Sequence, residues 1–141
     1  MKILQIINTD FGFEHLLRSY CEEFTKFGHK IEVLCTKTES NKNIPKSNFK
    51  FHYFDFSRSF NIYNFFISII KIRKEIKNIN PNIIHLHTPS ASIITRKGLI
   101  GLKKKFRIVY TCHAFYFSSR ANIISKFILF FLEYIASFNT N

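Results

Sequence analysis

Tryptophan is absent from this chain of 141 residues, and acid is scarce, with nine Asp and Glu against 21 Lys and Arg. Cysteine is limited to Cys21, Cys35 and Cys112. That count is odd, the spacings are wide and no C-x-x-C occurs, which argues against a disulfide framework and suits a reducing cytosol. No stretch reaches the ~18 uninterrupted apolar residues of a membrane span; the nearest approach, Ile123 to Phe138, is broken by Lys126 and Glu133. The opening MKILQIIN is too short an apolar run for a signal peptide, and no small-residue cleavage site follows it. There is no internal repeat and no low-complexity tract. The shortage of acid leaves a net charge of +12. Its plain reading is a solvated, lysine-rich surface. Its sharper readings are attraction to an anionic membrane leaflet or to phosphorylated substrates. Nucleic acid is not an expected partner, because no binding motif accompanies the charge.

What the chain does have is apolar surface, 46% of its residues, which argues against disorder and for one domain with a sizeable core. Lys2 to Asn8 reads as a strand apolar on both faces, the mark of a central strand in a parallel sheet covered by helices. Thr9 to Phe13 reads as a loop. Phe13, Leu16, Leu17, Tyr20, Cys21, Phe24 and Phe27 then recur at helical spacing, and Gly28 stops the helix. Lys30 to Thr36 is a second strand, Lys37 to Ser47 a loop, and Phe49 to Phe56 a third strand nearer the sheet edge. Asn61 caps a helix striped by Ile62, Phe65, Phe66, Ile69, Ile72, Ile76 and Ile79, which Asn80 and Pro81 end. Asn82 to Leu86 is the fourth strand. Ser90 to Lys104 is a weaker helix, interrupted by Gly98 and Gly101. In RIVYTCHAF (Arg107 to Phe115), Ile108, Val109 and Tyr110 form a fifth strand buried on both faces. The last helix, from about Ala121 to Phe138, is apolar almost all round, so it is expected to be buried, paired or laid on a membrane.

This order predicts an α/β fold: a Rossmann-like, doubly wound parallel sheet in three α/β/α layers, with the first, fourth and fifth strands side by side at the centre. Their carboxyl-end loops, Thr9 to Phe13, His87 to Ser90 and Thr111 to Phe115, then meet at one crevice, where ligands bind in such sheets. Gly12 lets backbone N–H groups at a helix start approach an anion, or simply serves a turn. His85 and His87 lie two apart on a strand and face one way. They can share a metal only with His113 as third ligand; the simpler reading makes His85 a satisfied core histidine and His87 a crevice residue. Cys112 and His113, as strand neighbours, point oppositely and form no nucleophile–base pair by adjacency. His113 is the better candidate, as a crevice hydrogen-bonding group or weak base. Arg58, in FSRS before a helix, is either a ligand for phosphate or carboxylate or a solvated loop residue.

At HLHTP (His85 to Pro89) and YTCHAF (Tyr110 to Phe115) the chain resembles the amino-terminal domain of family-4 glycosyltransferases. These are retaining enzymes of the GT-B fold, and bacterial members that build surface polysaccharides are the nearest in look. MKILQIIN with its following helix, FGHKIEVLCT and FSRS fit in the same order. The resemblance runs from Met1 to about Phe138. It implies that residues 1–141 form the acceptor-binding half of a GT-B enzyme, without its last strand. The donor-binding domain is then expected elsewhere, so that the chain is a truncated product, half of a split enzyme or a non-catalytic binding subunit, and has no transfer activity alone.

The resemblance also implies the partners and the site. The co-substrate is a nucleotide sugar, held largely by the second domain or a partner chain. The acceptor is a lipid-linked saccharide, and the transferred unit a hexose or N-acetylhexosamine. No metal and no other cofactor is expected. His113 matches the histidine that reaches the transferred sugar and is the catalytic candidate. Gly12 matches the second glycine of the donor-phosphate loop, whose first glycine is here Phe11. Arg58, His87 and Thr88 fall toward the acceptor. Ala114 stands where a glycine usually follows the histidine. The leaving diphosphate is expected to help deprotonate the acceptor, with positioning and charge stabilisation doing most of the work. The expected location is cytoplasmic, with peripheral contact on the inner face of the plasma membrane as a further possibility.

Overall fold

The computed structural model describes residues 1–38, 49–56, 62–102, 106–113 and 122–138. Ten elements follow in order: β1 (Lys2–Thr9), α1 (Asp10–Leu16), α2 (Arg18–Lys26), β2 (Lys30–Thr36), β3 (Lys50–Tyr53), α3 (Ile62–Ile79), β4 (Ile83–Leu86), α4 (Pro89–Gly98), β5 (Arg107–Tyr110) and α5 (Ile123–Ser137). The strands form one parallel sheet in the order β3-β2-β1-β4-β5. The expected doubly wound α/β architecture is therefore the observed one. The direction of travel reverses between β1's two neighbours, so right-handed crossovers send the helices to opposite faces.

Strand pleating splits the core in two. Leu4, Ile6, Leu34, Ile84, Leu86 and Ile108 face α3 and α4. Ile3, Ile7, Ile31, Val33 and Cys35 face Phe13, Leu17 and Cys21 of the α1–α2 segment. β1 is buried on both faces, as its unbroken apolar run requires.

Several expectations need correction. The stretch Thr9 to Phe13 is not a loop: Thr9 ends β1 and its hydroxyl caps α1, accepting from the Gly12 N–H at 3.1 Å. The single helix expected to follow is two, broken at Leu17, whose backbone leaves helical geometry at φ −122°. The helical bonding runs on across the break, from the Leu17 N–H to the Phe13 carbonyl and from the Cys21 N–H to the Leu17 carbonyl. The turn seats Leu17 in the core, and no proline or glycine marks it. Beyond it Tyr20, Phe24 and Phe27 are exposed, and Cys21 alone of α2 is buried. Phe66 of the α3 stripe is likewise exposed. The helix α4 ends at Gly98, earlier than expected, and Gly101 lies in the following turn at φ +78°.

Other stops fall where the residues asked for them. Past α2, the Gly28 N–H donates to the Thr25 carbonyl and the His29 N–H to the Phe24 carbonyl. That double bond needs a left-handed residue at Gly28, observed at φ +78°. Asn80 closes α3 in the same region, at φ 48°.

The fifth strand is not buried on both faces. It is the last strand of the described sheet, and Val109 is 46% exposed. The reason is topological. α4 covers only the Ile108 face, whereas α1 and α2 sit over β1 and β2 on the other face and leave β4 and β5 uncovered among the described residues. The last helix, α5, lies against α4 and exposes Ile123, Ile124, Phe127, Phe130, Phe131 and Tyr134.

Candidate functional site

Because β1, β4 and β5 are adjacent and in register, residues of equal parity share a face. Gln5 pairs with His85, and His85 with Val109. One step further along stand His87 and Thr111, and beyond them His113. A polar strip thus runs from β1 across β4 and β5 toward the carboxyl edge of the sheet. Gln5 is the residue the sequence reading missed. It is 2% exposed in a strand otherwise apolar at its centre. A lone amide inside ILQII was the available signal, since a buried polar side chain needs a partner.

That partner is His87. The Gln5 Oε1 lies 2.6 Å from the His87 Nε2, and the His87 Nδ1 lies 3.1 Å from the His113 Nε2. The His85 ring is tilted against that of His87, with centroids 4.0 Å apart, and meets the Thr111 hydroxyl at 2.8 Å. The expected roles of the two strand histidines are exchanged. His87 is the buried, satisfied one at 3% exposure, and His85 is only half-buried. His113 is exposed at the rim.

Burial drives the His87 pKa down to about 3, helped by the neighbouring charges that His85 and His113 would carry. Burial, then His113, lowers that of His85. His87 is therefore a neutral imidazole near neutral pH. No carboxylate bonds any of the three rings among the described residues. Nor does any group of three His, Cys, Asp or Glu there stand ready to hold a metal. Both His87 nitrogens and the Nε2 atoms of His85 and His113 are bonded to one another, to Gln5 or to Thr111.

The neighbouring turns are tied by two further residues that the sequence reading passed over. Asn8, at the end of β1, accepts through Oδ1 from the Thr88 hydroxyl (2.9 Å), the Ser90 hydroxyl (2.9 Å) and the Ala91 N–H (3.2 Å). Thr88 is the N-cap residue of α4, but Asn8 does the capping. Asp10 is buried and accepts from the Phe11 N–H, from the Thr38 N–H and from the Thr38 hydroxyl. It fixes the first turn of α1 against the chain leaving β2. In that turn the N–H groups of Phe11 and Gly12 are bonded to Asp10 and Thr9. Gly12 is also closely packed: a Cβ there would lie 3.2 Å from both the Ile7 Cδ1 and the Thr9 Oγ1. The Phe11 ring is exposed and tilted against His15, with centroids 4.2 Å apart. Arg58 and Ala114 lie outside the described residues.

A parallel five-stranded sheet with helices on both faces, its polar residues gathered at the carboxyl ends of the central strands, defines a Rossmann-like domain of the kind that forms half of a GT-B structure. The chain belongs to the glycosyl transferase 4-like family, whose model matches residues 2–139. Among solved structures it is similar to MurG of Acinetobacter baumannii, at 9% identity and TM-score 0.63, over 99% of this chain and 39% of that one. It is also similar to the UDP-GlcNAc 2-epimerase of Methanocaldococcus jannaschii, at 14% identity and TM-score 0.60, over 96% of this chain and 37% of that one. At those identities the likeness is one of fold. The chain spans less than two-fifths of either solved chain. No curated protein matches it.

Proposed function

We propose that the chain is the acceptor-side half of a retaining glycosyltransferase that uses a nucleotide sugar and a lipid-linked saccharide. The observation that carries this reading is the polar strip Gln5, His87, His113, running from the middle of β1 to the carboxyl ends of β4 and β5, in a chain of the glycosyl transferase 4-like family. His113 is the group that reaches the transferred sugar. His87 and Thr88 stand behind the acceptor side, with Arg58 added from the sequence. Gly12 and Phe11 face the donor phosphate. Their amides are engaged within the turn, so the α1 end meets the phosphate through its dipole more than through free N–H donors. The donor-binding wall belongs to a second domain or chain.

With an imidazole at the rim and no paired carboxylates beside it among the described residues, the chemistry is positioning and charge stabilisation. The leaving diphosphate accepts the acceptor's proton, and His113 orients a hydroxyl of the sugar. Contact with an anionic membrane, where a lipid-linked acceptor resides, is supported by the exposed apolar residues of α5 and the net charge of +12.

The test joins the chain to a donor domain of the same family and measures release of nucleoside diphosphate from a panel of nucleotide sugars, with lipid-linked saccharides as acceptors. Transfer is expected from the joined protein and none from the 141 residues alone. His113→Ala is expected to lose roughly a hundredfold or more, as for a lost transition-state contact. Unchanged transfer by His113→Ala removes His113 from the site, and turnover by the chain alone overturns the half-site reading.

A further inference from the structure

The bonds around His87 carry directional information. An amide oxygen only accepts, so the contact between the Gln5 Oε1 and the His87 Nε2 at 2.6 Å places the His87 proton on Nε2. A neutral imidazole has one N–H, which leaves the His87 Nδ1 as an acceptor. The ring facing it across 3.1 Å must then donate, so the His113 Nε2 carries a proton. When His113 is neutral, its own Nδ1 is the bare nitrogen. When His113 is charged, Nδ1 gains a proton and the inward bond is unchanged. The relay starts in the most rigid part of the fold, since Gln5 sits at the middle of β1 with strands paired on both sides. It ends on an exposed ring. His85, its ring tilted against that of His87, is a further titratable group in contact with the relay. It bonds Thr111 and takes no part in the chain of protons.

We propose that Gln5 and His87 are positioning residues that hold neutral His113 in its Nε2–H tautomer, so that a sugar hydroxyl meets the bare Nδ1 as a hydrogen-bond acceptor. The opposite tautomer would offer a donor at the same place and would reject the same hydroxyl proton. The sugar in this statement rests on the glycosyltransferase reading, whereas the relay itself does not.

The test is a ring-nitrogen NMR spectrum of the 15N-labelled chain at about pH 8, above the ordinary histidine range. A bare imidazole nitrogen resonates far downfield of a protonated one, so each tautomer is read directly. Both His87 and His113 are expected to show a protonated Nε2 and a bare Nδ1. In Gln5→Leu the acceptor is gone. His87 is then free to donate from Nδ1 to the His113 Nε2, and both rings are expected to invert, with His85 unchanged. A His87 protonated on Nδ1 in the parent chain overturns the proposal, as does an unchanged His113 in a folded Gln5→Leu chain. The parent spectrum decides even where Gln5→Leu does not fold. In the joined two-domain protein, Gln5→Leu is expected to lose about tenfold or more in transfer, the scale of lost support behind a ligating or reacting histidine. Equal transfer removes the positioning role. Absence of transfer from the joined protein carrying the unaltered chain counts against the glycosyltransferase reading alone, because the spectrum reports the relay without any substrate.

Discussion

His87 holds a neutral ring inside the sheet with no carboxylate bonded to it among the described residues, and this has a consequence for stability. The unfolded chain takes up a proton at His87 near the ordinary value of 6.5, and the folded chain not until about 3. The stabilisation is complete above the unfolded value and is lost as pH falls from there toward the folded one. Between pH 7 and pH 5 the loss attributable to His87 is about 2 kcal/mol. We predict that His87→Gln loses correspondingly less than the parent over this interval, as measured by urea unfolding at both pH values. An equal loss in the two chains would sink the assignment. Glu32 shows the opposite solution for a buried ionisable group. Burial opposes its charge, but hydrogen bonds from His52 and Lys30 and the charges of Lys2 and Lys30 outweigh it and hold its pKa below the usual range. The other ring nitrogen of His52 lies 3.3 Å from Glu75 of α3, so the His52 ring links helix to sheet. Buried Cys21 and Cys35, whose thiols burial pushes up to about 12, are inert packing groups.

Among the elements, the closest fit is between α3 and α4. A Cβ on Gly98 would lie 2.8 Å from the Ile72 Cγ2 and 3.1 Å from the Ile69 carbonyl oxygen. Neither atom yields easily, one being a branched methyl in the core and the other backbone. The Arg73 guanidinium reaches from α3 to the carbonyls of Gly98 (3.0 Å) and Ile100 (2.8 Å), filling acceptors that the end of α4 leaves open. Gly98→Ala is therefore predicted to destabilise the fold by about 1–3 kcal/mol through overpacking, despite the better helix propensity of alanine. Urea unfolding at neutral pH checks it, and a gain in stability would contradict the close contact. The same helix carries Arg96, fully buried, with its guanidinium 4.7 Å from the centre of the Tyr110 ring on β5. α4 is thus pinned at both ends, by Asn8 at its start and Arg73 at its finish.

At the scale of the whole molecule, the +12 charge and the exposed residues of α5 act together. No helix among the described residues is long and apolar enough to cross a membrane. We predict that the chain cosediments with vesicles rich in anionic lipid and not with neutral ones, and that moderate salt weakens the contact. Replacing Phe127, Phe130 and Phe131 together by Ser is predicted to reduce binding severalfold. Equal binding by that variant would show that charge alone accounts for the attraction.

The amino-acid sequence by itself determined the class of fold. Alternating apolar runs and amphipathic stretches, with Gly28 and Asn80–Pro81 as stops, are local signals. They sufficed for the parallel sheet and for bringing the ends of β1, β4 and β5 together. It also singled out His87 and His113, because a polar residue leaving a buried strand is conspicuous. Only the tertiary structure decided how they are used. Gln5 and His87 are 82 residues apart, and His87 and His113 are 26 apart. No spacing rule reports a hydrogen bond made across three strands. The exposure of Val109 and the break at Leu17 were hidden for the same reason. Each depends on what lies above the residue, and that is set by strand order and helix placement, not by neighbours along the chain.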